Sequence, residues 1–145
     1  MLRWDGWEGM EPDLVTEQRL EAVLGGLARR EPIFHRRELV NDRKSFERET
    51  AGDFWEVAAS GQRLSREFVW AELKRRYENS ERDQYETEHW ETRDFHLREV
   101  APATCLLTYT LSGNGGRLTR RLTVGRAPWR TAGRSFHQGT GAEAD

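Results

Sequence analysis

Few side chains in this sequence combine a reactive type with a useful spacing. Asp94 and His96 stand two apart in Arg93-Asp94-Phe95-His96-Leu97. On a strand they share one face and can act as an acid–base pair, although the same spacing also makes an ordinary solvated face. Tyr109 ends the apolar run Cys105-Leu106-Leu107-Thr108-Tyr109, where it can turn its hydroxyl into a cavity or simply fill a core. His35 closes the apolar plug Ile33-Phe34 and reads as a capping or packing residue. Cys105 is the single cysteine, so no intramolecular disulfide can form, and a reducing compartment suits it. Within an apolar strand such a thiol behaves as a small hydrophobe. His89, His96 and His137 lack tight ligand spacing, so no metal is expected. Gly113-Asn114-Gly115-Gly116 has no strand–glycine–helix order around it and reads as a hairpin turn rather than a phosphate loop.

The elements that must position these residues follow from patterning. A chain of 145 residues fits one domain, long enough to bury roughly 70% of its unfolded surface. Charged residues make up 33% and hydrophobic ones 36%, a polar balance offset by six Trp, six Phe and three Tyr. The net charge of −2 brings no overall attraction to nucleic acid or an anionic membrane, and neither partner is expected. Locally, residues 81–99 carry seven acids, while 115–140 carry six Arg and no acid, which suits cross-strand ion pairs or a basic docking strip. No window approaches the ~18 apolar residues of a membrane span, and Met1 to Asp13 has no apolar signal core. The expected location is cytoplasmic. Residues 1–13 read as a loose extension, with Met10 an alternative start to Met1, residues 14–140 as one domain, and 141–145 as a flexible tail.

Leu20, Val23, Leu24 and Leu27 make one apolar stripe, so a first helix capped by Asp13 or Thr16 is expected to end near Glu31-Pro32. A short second helix spans 41–50 with Phe46 as its anchor. Residues 54–59 alternate as a strand, Ser60-Gly61-Gln62 turns, and Ser65 caps a third helix carrying Val69, Leu73 and Tyr77. Strands follow to about Val100, from Cys105, from Leu118, and from Ser135 to Thr140 after a loop at 128–133. Helices first and an antiparallel meander afterwards make an α+β domain.

This order, with Glu31-Pro32-Ile33-Phe34-His35, Asp53-Phe54-Trp55-Glu56-Val57, Ser65-Arg66-Glu67-Phe68-Val69, Leu106-Leu107-Thr108-Tyr109 and Phe136-His137-Gln138-Gly139-Thr140, resembles the nuclear-transport-factor-2-like superfamily over residues 14–140. It looks most like small bacterial members of the SnoaL-like type, or those labelled only as domains of unknown function. The resemblance implies a cone-shaped, cystatin-like roll: three helices from the amino-terminal half packed on a curved antiparallel sheet, an apolar pocket inside, and homodimers formed through the outer sheet face. Arg117, Thr119 and Arg121 are expected on that outer face.

The superfamily also holds isomerases, cyclases and dehydratases, and its isomerases carry a general-base carboxylate on the first strand. Here that position falls on Ala58, which cannot move a proton. Glu56 shares the face of Ala58 and is the nearest substitute. His137, on a last strand that flanks the pocket in the family, can orient a ligand or serve as acid or base. The expected function is binding of a small hydrophobic or amphipathic molecule without a cofactor, in a pocket walled by Trp55, Trp70, Leu107, Tyr109 and His137. The alternatives are an enzyme using Glu56 or His137 with Tyr109 polarising a carbonyl, and a homodimeric interaction module without ligand.

Overall fold

The computed structural model describes residues 10–79, 90–113 and 117–138. Its elements are α1 (Glu21–Ala28), α2 (Arg43–Glu49), β1 (Thr50–Val57), β2 (Arg63–Ser65), α3 (Arg66–Glu78), β3 (Glu91–Ala101), β4 (Thr104–Ser112), β5 (Leu118–Arg126) and β6 (Arg130–Gln138).

Two helices begin where local chemistry dictates. The Asp42 side chain accepts the Ser45 N–H at 2.8 Å while the Ser45 hydroxyl accepts the Asp42 N–H at 3.0 Å, a reciprocal cap on α2. Ser65 accepts the Phe68 N–H at 3.1 Å and caps α3. The first helix departs from expectation. A 3-10 turn over Gln18–Leu20 leads into it without a side-chain cap. Thr16 instead accepts the Leu97 N–H of edge strand β3 at 3.0 Å. The chain's amino-terminal segment is thus tied to the sheet before the helix starts.

The sheet order is β2-β1-β6-β5-β4-β3. β3 to β6 form an antiparallel meander and β1 pairs antiparallel with β2, but β1 lies parallel to β6. The sheet is therefore mixed, not wholly antiparallel as expected. No hairpin joins β1 to β6, so nothing local sets their relative direction. β6 begins at Arg130, five residues before the expected start, because the turn contracts to 127–129 with Trp129 at φ 53°. A bulge in β3 puts Asp94 at φ 62°, a left-handed backbone that Asp tolerates better than most residues, and it bends the strand.

Two apolar clusters sit between helices and sheet. Leu20 and Leu27 pack on Leu97, Leu107, Tyr109 and Leu111, while Ile33, Phe34, Phe46, Phe54, Val69 and Leu73 join α2, α3 and β1. The cross-strand partners of Leu111 and Tyr109 are Thr119 and Arg121. Those two therefore share the inward face, correcting the expectation that they lie on the outer one.

Candidate functional site

Inward-facing positions of β1, β4, β5 and β6 bring Glu56, Tyr109, Arg121, Thr123 and Arg134 into the apolar interior, where Glu31 joins them. Glu31, just ahead of the turn at Ile33–His35, is 3% exposed. Its Oε1 accepts the Tyr109 hydroxyl at 2.9 Å and that of Thr123 at 3.4 Å. Glu56, also buried, lies opposite Arg134 in the β1–β6 pairing, and one of its oxygens takes both Nε and a terminal nitrogen of Arg134 at 2.9 and 2.7 Å. The Arg134 guanidinium stands 4.4 Å from the Phe34 ring centre and 4.6 Å from that of Phe136. These contacts supply cation–π attraction where water is excluded.

Arg121 completes the group. Its guanidinium lies 4.2 Å over Phe136, and its Nε is buried with no hydrogen-bond partner among the described residues. Burial draws the Arg121 pKa down, opposed by Tyr109 and Glu31. The Tyr109 hydroxyl is driven well above the ordinary tyrosine range, chiefly by burial and then by the Glu31 charge, so it remains a donor at any physiological pH. His35 is pushed down to about 3 by burial, then by the charges of Arg121 and Arg134. It is a neutral imidazole, edge-on to Trp90 with ring centres 6.1 Å apart. The interior thus offers a protonated phenol, a carboxyl beside it, and a guanidinium whose Nε has no partner among the described residues.

Of the residues expected to wall the pocket, Tyr109 and His137 border one cavity, whereas Trp55, Trp70 and Leu107 are not part of its lining. Leu107 and Tyr109 face inward in one cluster. Trp55 alternates with Phe54 and Glu56 and is 50% exposed on the outer side. Trp70 packs between Phe46 at 5.5 Å and Tyr77 at 6.4 Å, in the other cluster. His137 is exposed on the outer face with Ser135 Oγ at 2.8 Å from its Nε2, because inward Arg134 and Phe136 force the intervening parity outward. Asp94 and His96 border a cavity on that same outer side. Glu56 does lie on the inner face, but its carboxylate is engaged by Arg134, and Ala58 falls just past the end of β1.

Glu31, Thr123 and Arg134 escaped the sequence reading as site residues, and Arg121 had been assigned to the outer face. A signal existed for Arg134, which alternates with aromatic Phe136 on one strand face. For Glu31 the only hint was an acid abutting an apolar plug. Among the described residues, no group of His, Cys, Asp and Glu is arranged to hold a metal, and no helix is long and apolar enough to cross a membrane.

No protein-family model matches the chain, and no curated protein matches its sequence. Solved structures do match. An NTF2-like protein from Cytophaga hutchinsonii aligns at TM-score 0.60 and 14% identity, covering 85% of this chain and 99% of that one. The chain has the nuclear-transport-factor-2-like fold. A cystatin-like domain of unknown function from Nostoc punctiforme aligns at TM-score 0.58 and 12% identity, over 85% of this chain and 79% of its own. A SnoaL-like protein of unknown function from Burkholderia thailandensis aligns at 0.54 and 17%, over 82% and 97%. At such identities the likeness carries the nuclear-transport-factor-2-like architecture and not an activity.

Proposed function

We propose that this nuclear-transport-factor-2-like domain binds a small amphipathic molecule inside the cone, through a carboxylate or carbonyl oxygen presented to Arg121. The unpartnered Nε of Arg121 carries the reading. A buried donor left without an acceptor is destabilising by about 1–3 kcal/mol, and a ligand oxygen removes that penalty. Tyr109 and Glu31 lie alongside as a second anchor, and Phe136 and Phe95 offer apolar surface, Phe95 being stacked on Tyr109 at 4.9 Å. Native mass spectrometry of protein taken straight from cells tests this. A bound small acid or carbonyl compound, absent from a folded Arg121→Met variant, is the expected result. Wild type and variant both free of ligand would overturn it.

A second reading, an isomerase, cyclase or dehydratase, is favoured by the 2.9 Å contact between Tyr109 and Glu31. Glu31 would then be the base in place of Glu56 or His137. Solvent-deuterium incorporation into an enolisable ketone, lost in Glu31→Gln, is its test. The outer face, where Trp55 is half exposed, remains our proposed surface for a homodimer; light scattering of Trp55→Glu against wild type decides it.

A further inference from the structure

Residues 10–16 run across the outer side of the sheet before rounding its β3 edge. Glu11 pairs with Arg120 and Thr16 takes the Leu97 N–H. Beneath this segment is a cavity of about 430 Å³, within the size range of small-molecule sites. Pro12 and Leu14 border it on one side and Leu122 on the other, with Asp94, His96 and His137 among its polar residues. These polar residues belong to the opposite strand parity from the interior group: His137 alternates with Phe136, and His96 with Leu97. Tyr109 and Arg121 also border this cavity, although their polar ends, the phenol on Glu31 and the guanidinium over Phe136, belong to the interior group.

The polar character of this cavity differs from that of the interior. Two carboxylates, Glu11 and Asp94, meet one guanidinium, that of Arg120. Glu11 is the closer partner. Asp94 is held loosely, 3.8 Å from Arg120 and 3.5 Å from the Thr110 hydroxyl, with its side chain 56% exposed. The bulge holds it at that place. The imidazole rings of His96 and His137 also border the cavity. Two carboxylates at the one guanidinium of Arg120, with an apolar wall beside them, describe a complement to an ammonium group on an apolar body.

We infer that the outer cavity is a second binding site, for a small amphipathic amine whose ammonium group meets Asp94 and whose apolar body lies against Leu14 and Leu122. Nitrogen-15-labelled full-length protein is titrated at pH 8 with phenethylamine and, in parallel, with 3-phenylpropionate. The amine is expected to give saturable amide shifts centred on Asp94, His96, Thr108, Leu122 and His137, and the acid none there. Asp94→Asn, which keeps a residue at ease with the left-handed backbone, is expected to weaken the amine by about threefold, the scale of an exposed ion pair. Leu122→Trp is expected to abolish the shifts by filling the space. Equal binding of the acid at these residues, absence of saturation, or wild-type affinity in folded Asp94→Asn would each overturn the assignment.

Discussion

Glu56 and Arg134 face one another across the parallel β1–β6 pair, and two guanidinium nitrogens converge on a single carboxylate oxygen at 2.7 and 2.9 Å. Both side chains are almost fully buried, at 6% and 5% exposure. The pair joins the strand reached first in the chain to the strand reached last. It also removes Glu56 from the role of free base.

Removing one member of this pair strands a charge in an apolar setting. Glu56→Ala is expected to lower unfolding stability by about 3–5 kcal/mol, read by chemical denaturation. Replacing both, as Glu56→Leu with Arg134→Met, is expected to recover most of the loss. A single variant as stable as wild type would show that water reaches Arg134.

Tyr109→Phe keeps the ring stacked on Phe95 and removes only the hydroxyl that Glu31 accepts. A loss of about 1–3 kcal/mol is expected, since among the described residues the Glu31 carboxyl then keeps the longer Thr123 contact. Equilibrium denaturation measures it, and an unchanged midpoint would mean the hydroxyl contributes nothing net.

His35 predicts a pH dependence of definite sign. Its folded-state pKa, about 3, lies below the ordinary histidine value of 6.5. The unfolded chain therefore takes up this proton first, and stability falls as pH drops from 6.5 towards 3 while being fully present above 6.5. Over that window the wild-type slope should exceed that of His35→Gln by about one proton, or ~1.4 kcal/mol per pH unit. Parallel slopes for the two proteins would place His35 in water.

Cys105 is 2% exposed and burial raises its thiol pKa. In native protein a thiol-specific disulfide reagent is expected to react only at the rate of unfolding, and promptly once denaturant is added. Fast labelling of folded protein would contradict this burial.

The helical anchor is testable by truncation. Phe46 is fully buried between Phe34 and Trp70, and Phe46→Ala is expected to cost about 3–5 kcal/mol through the cavity it leaves. A loss below 1 kcal/mol by denaturation would mean that the surrounding rings collapse into the gap.

Much of the architecture is written locally. Asp42 with Ser45, and Ser65 ahead of Phe68, mark two helix starts within four residues of chain. Gly61, at φ 91°, supplies the turn after β1. Cys105, Leu107, Tyr109 and Leu111 declare a strand face by alternation alone. Local signals of this kind, in their order, were enough to indicate the cone. Alternation tells which residues share a face, however, and not which face turns inward; Arg121 and Thr119 were misplaced for that reason, and Trp55 with them.

The site was decided by contacts that no local pattern encodes. Tyr109 meets Glu31, and Arg134 meets Glu56, in each case across 78 residues of chain. Buried charges hold only where partners arrive from distant parts of the chain, and the parallel β1–β6 register sets Glu56 opposite Arg134. The sequence alone determined the order of the helices and long strands, the caps of α2 and α3, the turn after β1 and the alternating strand faces, because each depends on neighbours a few residues away. The tertiary structure decided the direction of β1 against β6, the inward carboxyl–arginine group and the outward turn of His137, because burial and charge pairing are properties of the assembled sheet.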